Sequence, residues 1–223
     1  MNKIIQSLIK EFIQIEVSGK KYVNGTLIDL GSDVIVLFNG LDYMYIPLFH
    51  IQSVKIGSKD EYVIQDPIDF PSIKTEHLNL ELSLNETLLQ AKGKHVEIFI
   101  AEDQSLNGQV TRIRDDYFEF FSPIYRTMYI STKHLKWLIP IGQNESLYGL
   151  NNKDLSFPKD ILADTFKDQI EKFINSLVVI NIGGRRSHLG KMNKLEDQII
   201  EIEGARTAPI YLNLNHIQTL HQV

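Results

Sequence analysis

The chain of 223 residues carries 23 basic and 28 acidic side chains, a formal net charge of −5 and no cysteine. The absence of thiols excludes disulfides, thiolate metal sites and cysteine nucleophiles. Because no run of about 18 apolar residues occurs, the sequence predicts no membrane-spanning helix.

The charges are distributed unevenly along the chain. Segments 1–56, 83–141 and 159–223 each hold equal numbers of basic and acidic side chains, and the acidic excess lies in the connecting segments 57–82 and 142–158. A nucleic-acid-binding domain usually carries a basic excess. The charge pattern therefore disfavours that class for all three segments.

The first segment begins with apolar residues at helical spacing from Ile4 to Phe12, which predict an amphipathic helix and no signal peptide. Gly31 and the pair Asn39 and Gly40 then separate runs with strand-like alternation, and an Asn-Gly pair between apolar runs is a hairpin signal. The predicted strands are 13–17, 22–30, 33–38, 42–48 and 51–56.

The second segment repeats this order after the acidic connector 57–82. Ser83 or Asn85 is predicted to cap the start of a helix, and Glu86 lies three residues after Ser83, as in a capping box. Gly93 is placed to end the helix in a left-handed conformation. The predicted strands are 95–100, 106–114, 117–121, 127–131 and 135–139.

The third segment follows the Asn-, Gly- and Ser-rich connector 142–158. Apolar residues from Ile161 to Ile174 recur every three or four positions and predict the longest helix of the chain. Residues 183–186 (GGRR) predict a turn. The predicted strands are 177–182, 189–195, 198–203, 209–214 and 217–220.

One seven-residue pattern occurs once in each segment, at 45–51, 129–135 and 211–217: Tyr, aliphatic, three free positions, His, aliphatic. We call these the first, second and third motif. Their histidines lie 84 and 82 residues apart, and such regularity indicates an internal repeat. The motif residues are Tyr45, His50, Tyr129, His134, Tyr211 and His216.

A glycine in the second predicted strand of each segment keeps the same register: Gly25, Gly108 and Gly190. Glycine inside a strand marks a bulge, a bend or a close backbone approach. A helix followed by five bent antiparallel strands closes into a small barrel, which removes exposed sheet edges. The sequence therefore predicts a mainly β protein with short helices, built from three modules (1–56, 83–141 and 159–223).

The predicted unit resembles the Sm-like fold, the SH3-like barrel of Sm, LSm and Hfq proteins. Lys133 and His134 are similar to the Lys-His pair that Hfq carries before its last strand. Phe49 and Asn215 stand at the equivalent position in the other motifs, and the Arg-Gly of the eukaryotic Sm signature is absent from all three. The resemblance implies RNA contacts only at Lys133 and His134.

The chain also resembles the N-terminal region of the bacterial spore coat protein B family, which has three such modules. The segments that carry the resemblance are INIGGRRSHLG (180–190), YLNLNHIQTL (211–220) and YIPLFHIQSV (45–54). The family's long Ser-, Lys- and Arg-rich C-terminal tail has no counterpart before residue 223. The resemblance implies a non-catalytic structural protein of the endospore coat, made in the mother-cell cytoplasm and partnered by other coat proteins.

The motif histidines admit two interpretations. Neutral imidazole is a common metal ligand, so three histidines could meet in one metal site. A repeat, however, duplicates fold-making residues automatically, and we interpret the histidines as ends of the fourth strand that hold the tight turn before the fifth. The tyrosines are similarly interpreted as half-buried strand residues rather than a base-stacking platform. No metal and no cofactor is predicted.

No nucleophile, base and acid occur together in a recognisable pattern, and no serine lies in a G-x-S-x-G frame, so an enzyme is not predicted. Sm-like barrels associate by pairing the fourth strand of one unit with the fifth of the next. Two chains of three modules are therefore expected to complete a six-module ring, the alternative being a closed trio in a monomer. An RNA-binding Sm-like protein is the alternative function.

Overall fold

The computed structural model describes residues 2–57, 82–101, 104–142, 147–149, 161–182 and 187–223. The predicted turn at 183–186 and nearly all of both connectors lie outside the described residues. The chain divides into two compact units. Unit one contains Met1–Phe99 and Lys136–Glu145, and unit two contains Ile100–Leu135 and Ser146–Val223.

The part of unit one that the structure describes is a set of antiparallel strands with two α-helices, α1 (Lys3–Gln6) and α2 (Leu84–Ala91). Its strands are β1 (Phe12–Val17), β2 (Lys21–Leu30), β3 (Val34–Phe38), β4 (Tyr43–Pro47), β5 (Ile51–Ile56), β6 (His95–Ala101) and β10 (Trp137–Pro140). They are hydrogen-bonded in the order β6-β10-β4-β3-β2-β1-β5. Residues of β1 to β4 form most of its apolar core.

The described residues of unit two form one α-helix, α3 (Phe166–Glu171), and eight strands. These are β7 (Gln104–Ile113), β8 (Tyr117–Ser122), β9 (Arg126–Ser131), β11 (Leu177–Ile180), β12 (His188–Glu196), β13 (Ile199–Glu203), β14 (Ile210–Asn213) and β15 (Thr219–Gln222). Their order is β14-β13-β12-β11-β15-β9-β8-β7. Its core combines the apolar face of α3 with residues of β11 to β13.

The mainly β class is confirmed, and each of the fifteen strands in the described residues lies within a residue or two of its predicted position. Alternation marks the strands, and turn-forming residues such as Asn39 with Gly40 and Asp115 with Asp116 separate several of them. Within the described residues, no helix is long and apolar enough to cross a membrane. The division into three barrel modules stays a prediction.

The helices are shorter than the apolar spacing predicted. α1 begins after Asn2, whose side chain accepts bonds from the amides of Ile4 and Ile5, and it ends at Gln6. In the third segment the Asp168 amide donates to Thr165 Oγ1, and α3 starts at Phe166. The longest helix among the described residues is therefore α2. Apolar spacing alone does not distinguish a helix from single turns that bury the same face.

The predicted ends of α2 are confirmed. The Glu86 amide donates to Ser83 Oγ at 3.2 Å, and Gly93 has a φ of +75°. Lys10 and Asn175 also have positive φ, +74° and +69°. Lys10, Gly93 and Asn175 lie equally far along the chain before the strand glycines Gly25, Gly108 and Gly190, respectively. All three segments therefore enter their first strand through a left-handed residue.

A register shift recurs between the second and third strands of each segment. The shifts lie between Leu27 and Asp29 in β2, between Val110 and Arg112 in β7, and between Met192 and Lys194 in β12. Each skipped residue is the third after the segment's glycine. Such a bulge bends its strand and increases the twist, so the three segments bend at an equivalent point.

Candidate functional site

Each motif spans the end of the fourth strand and a single turn of 3-10 helix. The tyrosines lie in β4, β9 and β14, and the histidines end the turns Leu48–His50, Thr132–His134 and Leu214–His216. In all three turns the amide of the residue after the histidine donates to the carbonyl of the first turn residue. The motif therefore reverses the chain between the fourth and fifth strands.

The three strand glycines lie where the neighbouring strand approaches most closely. A Cβ on Gly25 would meet the carbonyl of Phe38, one on Gly108 that of Phe121, and one on Gly190 that of Glu203, all well inside 3.0 Å. Real Cβ atoms essentially never make such contacts. A close backbone approach accounts for the glycine at all three positions.

We expect Gly108→Ala to lower the free energy of unfolding by about 1–3 kcal/mol, because the added methyl forces β7 away from β8. Urea denaturation followed by circular dichroism measures this change. Lys191→Ala, at an exposed strand position next to Gly190, is the control and is expected to change stability by less than about 0.5 kcal/mol. Equal stability of Gly108→Ala and wild type would contradict the close-approach explanation.

The fourth strand of two motifs pairs with the fifth strand that follows the next motif. In unit one, β4 pairs with β10 and places Tyr45 opposite Leu138. In unit two, β9 pairs with β15 and places Tyr129 opposite Leu220. Leu138 and Leu220 each lie four residues after their motif histidine. The chain thus makes the same strand contact twice, in the same register.

The third motif lacks this contact within the described residues. Among the described strands, β14 pairs with β13 alone, and β5 pairs with β1 alone. The exposure of the motif tyrosine follows the difference: Tyr45 is 0% exposed and Tyr129 7%, whereas Tyr211 is 64% exposed. A covering fifth strand therefore accompanies burial of the tyrosine.

The motif histidines have different surroundings. His50 Nδ1 lies 2.7 Å from Ser18 Oγ, in the turn after β1. His134 Nε2 donates to the Asn215 carbonyl at 3.1 Å. His216 is exposed, and its own carbonyl accepts from Asn181 Nδ2 at 3.1 Å. Among the residues that the structure describes, no group of three or more His, Asp or Glu side chains could hold a metal ion.

Lys133, the other residue of the RNA interpretation, also contacts the third motif. Its Nζ donates to Asn215 Oδ1 at 2.9 Å. Burial lowers the pKa of Lys133, and the nearby Asp116 carboxylate opposes that shift. Lys133 and His134, the two residues that the Sm-like resemblance assigned to RNA, are therefore both hydrogen-bonded to Asn215.

An ion pair between a buried carboxylate and a partly exposed arginine in unit two was not expected from the sequence. Glu119 is 1% exposed and accepts from Arg112 through both carboxylate oxygens, with Arg112 Nε 2.8 Å from Oε1. Thr111 Oγ1 donates to the same carboxylate. The bond to Glu119 raises the pKa of Arg112. One acidic residue within the apolar run 117–121 is the sequence signal that could have indicated it.

Comparisons with known proteins give three similarities. Residues 165–220 match the family model described as YwrJ third domain. The chain is 32% identical to the uncharacterized protein YwrJ of Bacillus subtilis (strain 168) over 225 residues, 98% of this chain and 99% of that protein. It is 26% identical to spore coat protein B of the same organism over 144 residues, 65% of this chain and 36% of that protein.

Proposed function

The chain belongs to the family of Bacillus subtilis YwrJ, and from this starting point we propose that it is a non-catalytic structural component of the bacterial endospore coat. The observation that carries the proposal is the similarity of 65% of the chain to spore coat protein B. The match covers 36% of that protein, so this similarity supports the coat role alone. That the chain acts there through protein–protein assembly is our proposal from the strand contacts described above.

We infer that the chain is built from three Sm-like barrels. Three observations support this architecture. The first strand of each segment pairs with its fifth, as β1 with β5, β6 with β10 and β11 with β15. A bulge and a close-approach glycine recur at one register in all three segments. The similarity of residues 165–220 to a third domain fits the last module.

The repeated contact between fourth and fifth strands favours assembly as the function. Strand edges with unpaired amides and carbonyls bind other strands readily. The described residues contain two pairings between a fourth and a fifth strand, and two strands, β5 and β14, that have one neighbour each. These two strand edges can bind strands of further copies or of related proteins. We therefore assign the assembly function to the edges of β5 and β14 rather than to a pocket.

Localisation in a spore-forming host tests the coat role. A fluorescent protein fused to the chain is expected to accumulate around the forespore and to remain on released spores after a detergent wash. The unfused fluorescent protein, expressed from the same promoter, is the control and is expected to stay in the mother cell. An even distribution of the fusion through the mother cell, with none on purified spores, would contradict the proposal.

A further inference from the structure

We propose that a second copy of this chain completes the third motif, by pairing its β5 with β14 in the register that the chain already uses twice. The second copy would be one partner in the assembly proposed above, and the contact can be tested with the purified chain. Its outcome is therefore independent of where the protein accumulates in a sporulating cell.

The register follows from the two pairings within the chain. Tyr45 faces Leu138 and Tyr129 faces Leu220, in each case the fourth residue after a motif histidine. Val54 holds that position after His50. Tyr211 is therefore expected to face Val54 of the second copy. By the same comparison, Leu212 faces Ser53, as Ile130 faces Thr219.

The backbone groups of both edges have the orientation that this pairing needs. The Leu214 amide donates to Gln198 across the β13–β14 pair, so the alternation of an antiparallel strand directs the Tyr211 amide to the opposite edge. The Gly57 amide donates to Phe12 across the β1–β5 pair, which likewise directs the Val54 amide outward. Tyr211 and Val54 would thus exchange two backbone hydrogen bonds.

Apolar side chains are exposed at both edges, unlike their counterparts in the completed contacts. Leu138 and Leu220 are fully buried, whereas Val54 is partly exposed. Tyr211 on β14 and Ile56 at the end of β5 are exposed. Exposed apolar edge strands are sites of strand addition. β5 of another copy would cover the tyrosine of the third motif, as β10 and β15 cover the tyrosines of the first and second motifs.

The hydrogen bond between the turns of the second and third motifs has an expected counterpart between the two chains. His134 donates to the carbonyl of Asn215, the residue before the next motif histidine. Phe49 occupies that position before His50. His216 is therefore placed to donate to the Phe49 carbonyl of the second copy, which gives the exposed His216 side chain a partner.

Each chain offers one β14 and one β5, so the contact joins unlike surfaces. A contact of this type either closes or propagates. Two chains that make it twice leave neither strand unpaired, and this gives a mass of twice 25.7 kDa. Wild-type chain that stays monomeric at every concentration, measured by light scattering, would overturn the inference.

Cysteine cross-linking tests the register, and the chain has no cysteine of its own. In the double variant Tyr211→Cys with Val54→Cys, the facing Cα atoms are expected about 5.5 Å apart, within reach of a disulfide. Oxidation is expected to link chains covalently. The control, Tyr211→Cys with Ile56→Cys, is out of register and is expected to link poorly. Equal linking in both variants, no linking, or linking within one chain would overturn the register.

Mixing two blocked variants tests which edges meet. Tyr211→Arg blocks β14 and Val54→Arg blocks β5, so each variant alone is expected to be monomeric. An equal mixture is expected to form a complex of two chains, because each variant keeps the edge that the other lacks. Val54 packs partly on the core of unit one. If its variant fails to fold, the exposed Ile56→Arg replaces it. A blocked variant that pairs with itself would overturn the head-to-tail contact.

Discussion

Tyr45→Ala is expected to lower the free energy of unfolding by about 3–5 kcal/mol, the usual cost of removing a fully buried aromatic side chain. Tyr45 is 0% exposed and lies on β4, which is paired with β3 on one side and β10 on the other. The change would remove its packing and leave a cavity that neighbouring strands fill only in part. Urea denaturation followed by circular dichroism measures the loss.

The third motif supplies the matched control for this change. Tyr211 occupies the same position but is 64% exposed, so Tyr211→Ala is expected to cost the single chain less than about 0.5 kcal/mol. It should instead weaken association of two chains. Equal destabilisation by both substitutions would show that the tyrosines have equivalent environments, contrary to the pairings described above.

Glu119→Ala is expected to lower the free energy of unfolding by about 2–3 kcal/mol, because it leaves the partly buried guanidinium of Arg112 without its carboxylate partner. Glu119 is 1% exposed and receives bonds from Arg112 and Thr111. The exposed pair of Lys194 and Glu196, 3.6 Å apart, is the matched control. Glu196→Ala is expected to change stability by less than about 0.5 kcal/mol.

A double substitution separates loss of the ion pair from loss of packing. Arg112→Met with Glu119→Leu removes both charges and keeps most of the volume, so it is expected to regain most of the stability lost in Glu119→Ala. The same urea denaturation measures it. A double variant as unstable as Glu119→Ala would show that the charge left on Arg112 is not the cause of the loss.

The strands were predictable because local chemistry determines them. Period-two alternation, turn residues such as Asn39 and Gly40, and the recurring glycines gave every strand its place. Helix lengths were not predictable to the same degree. Apolar residues from Ile4 to Phe12 have helical spacing, yet only Lys3–Gln6 is helical before the left-handed Lys10.

The candidate site was predictable in position but not in environment. The sequence placed the tyrosines and histidines before the fifth strands, where the structure has them. Three similar motifs gave no indication that Tyr211 is exposed while Tyr45 and Tyr129 are buried, because exposure depends on which later strand pairs with each motif. The Arg112–Glu119 pair was not predicted, because the two residues lie opposite each other on β7 and β8 and their alignment depends on the bulge in β7.

Hydrogen exchange at the three motif tyrosines tests most directly the central claim that a second copy of the chain completes the third motif. The backbone amides of Tyr45, Tyr129 and Tyr211 hold equivalent positions, and burial behind a paired strand slows exchange. The amides of Tyr45 and Tyr129 are expected to be protected at all protein concentrations. That of Tyr211 is expected to exchange rapidly in dilute protein and to gain protection as concentration rises. Protection of Tyr211 that does not change with concentration would contradict the claim.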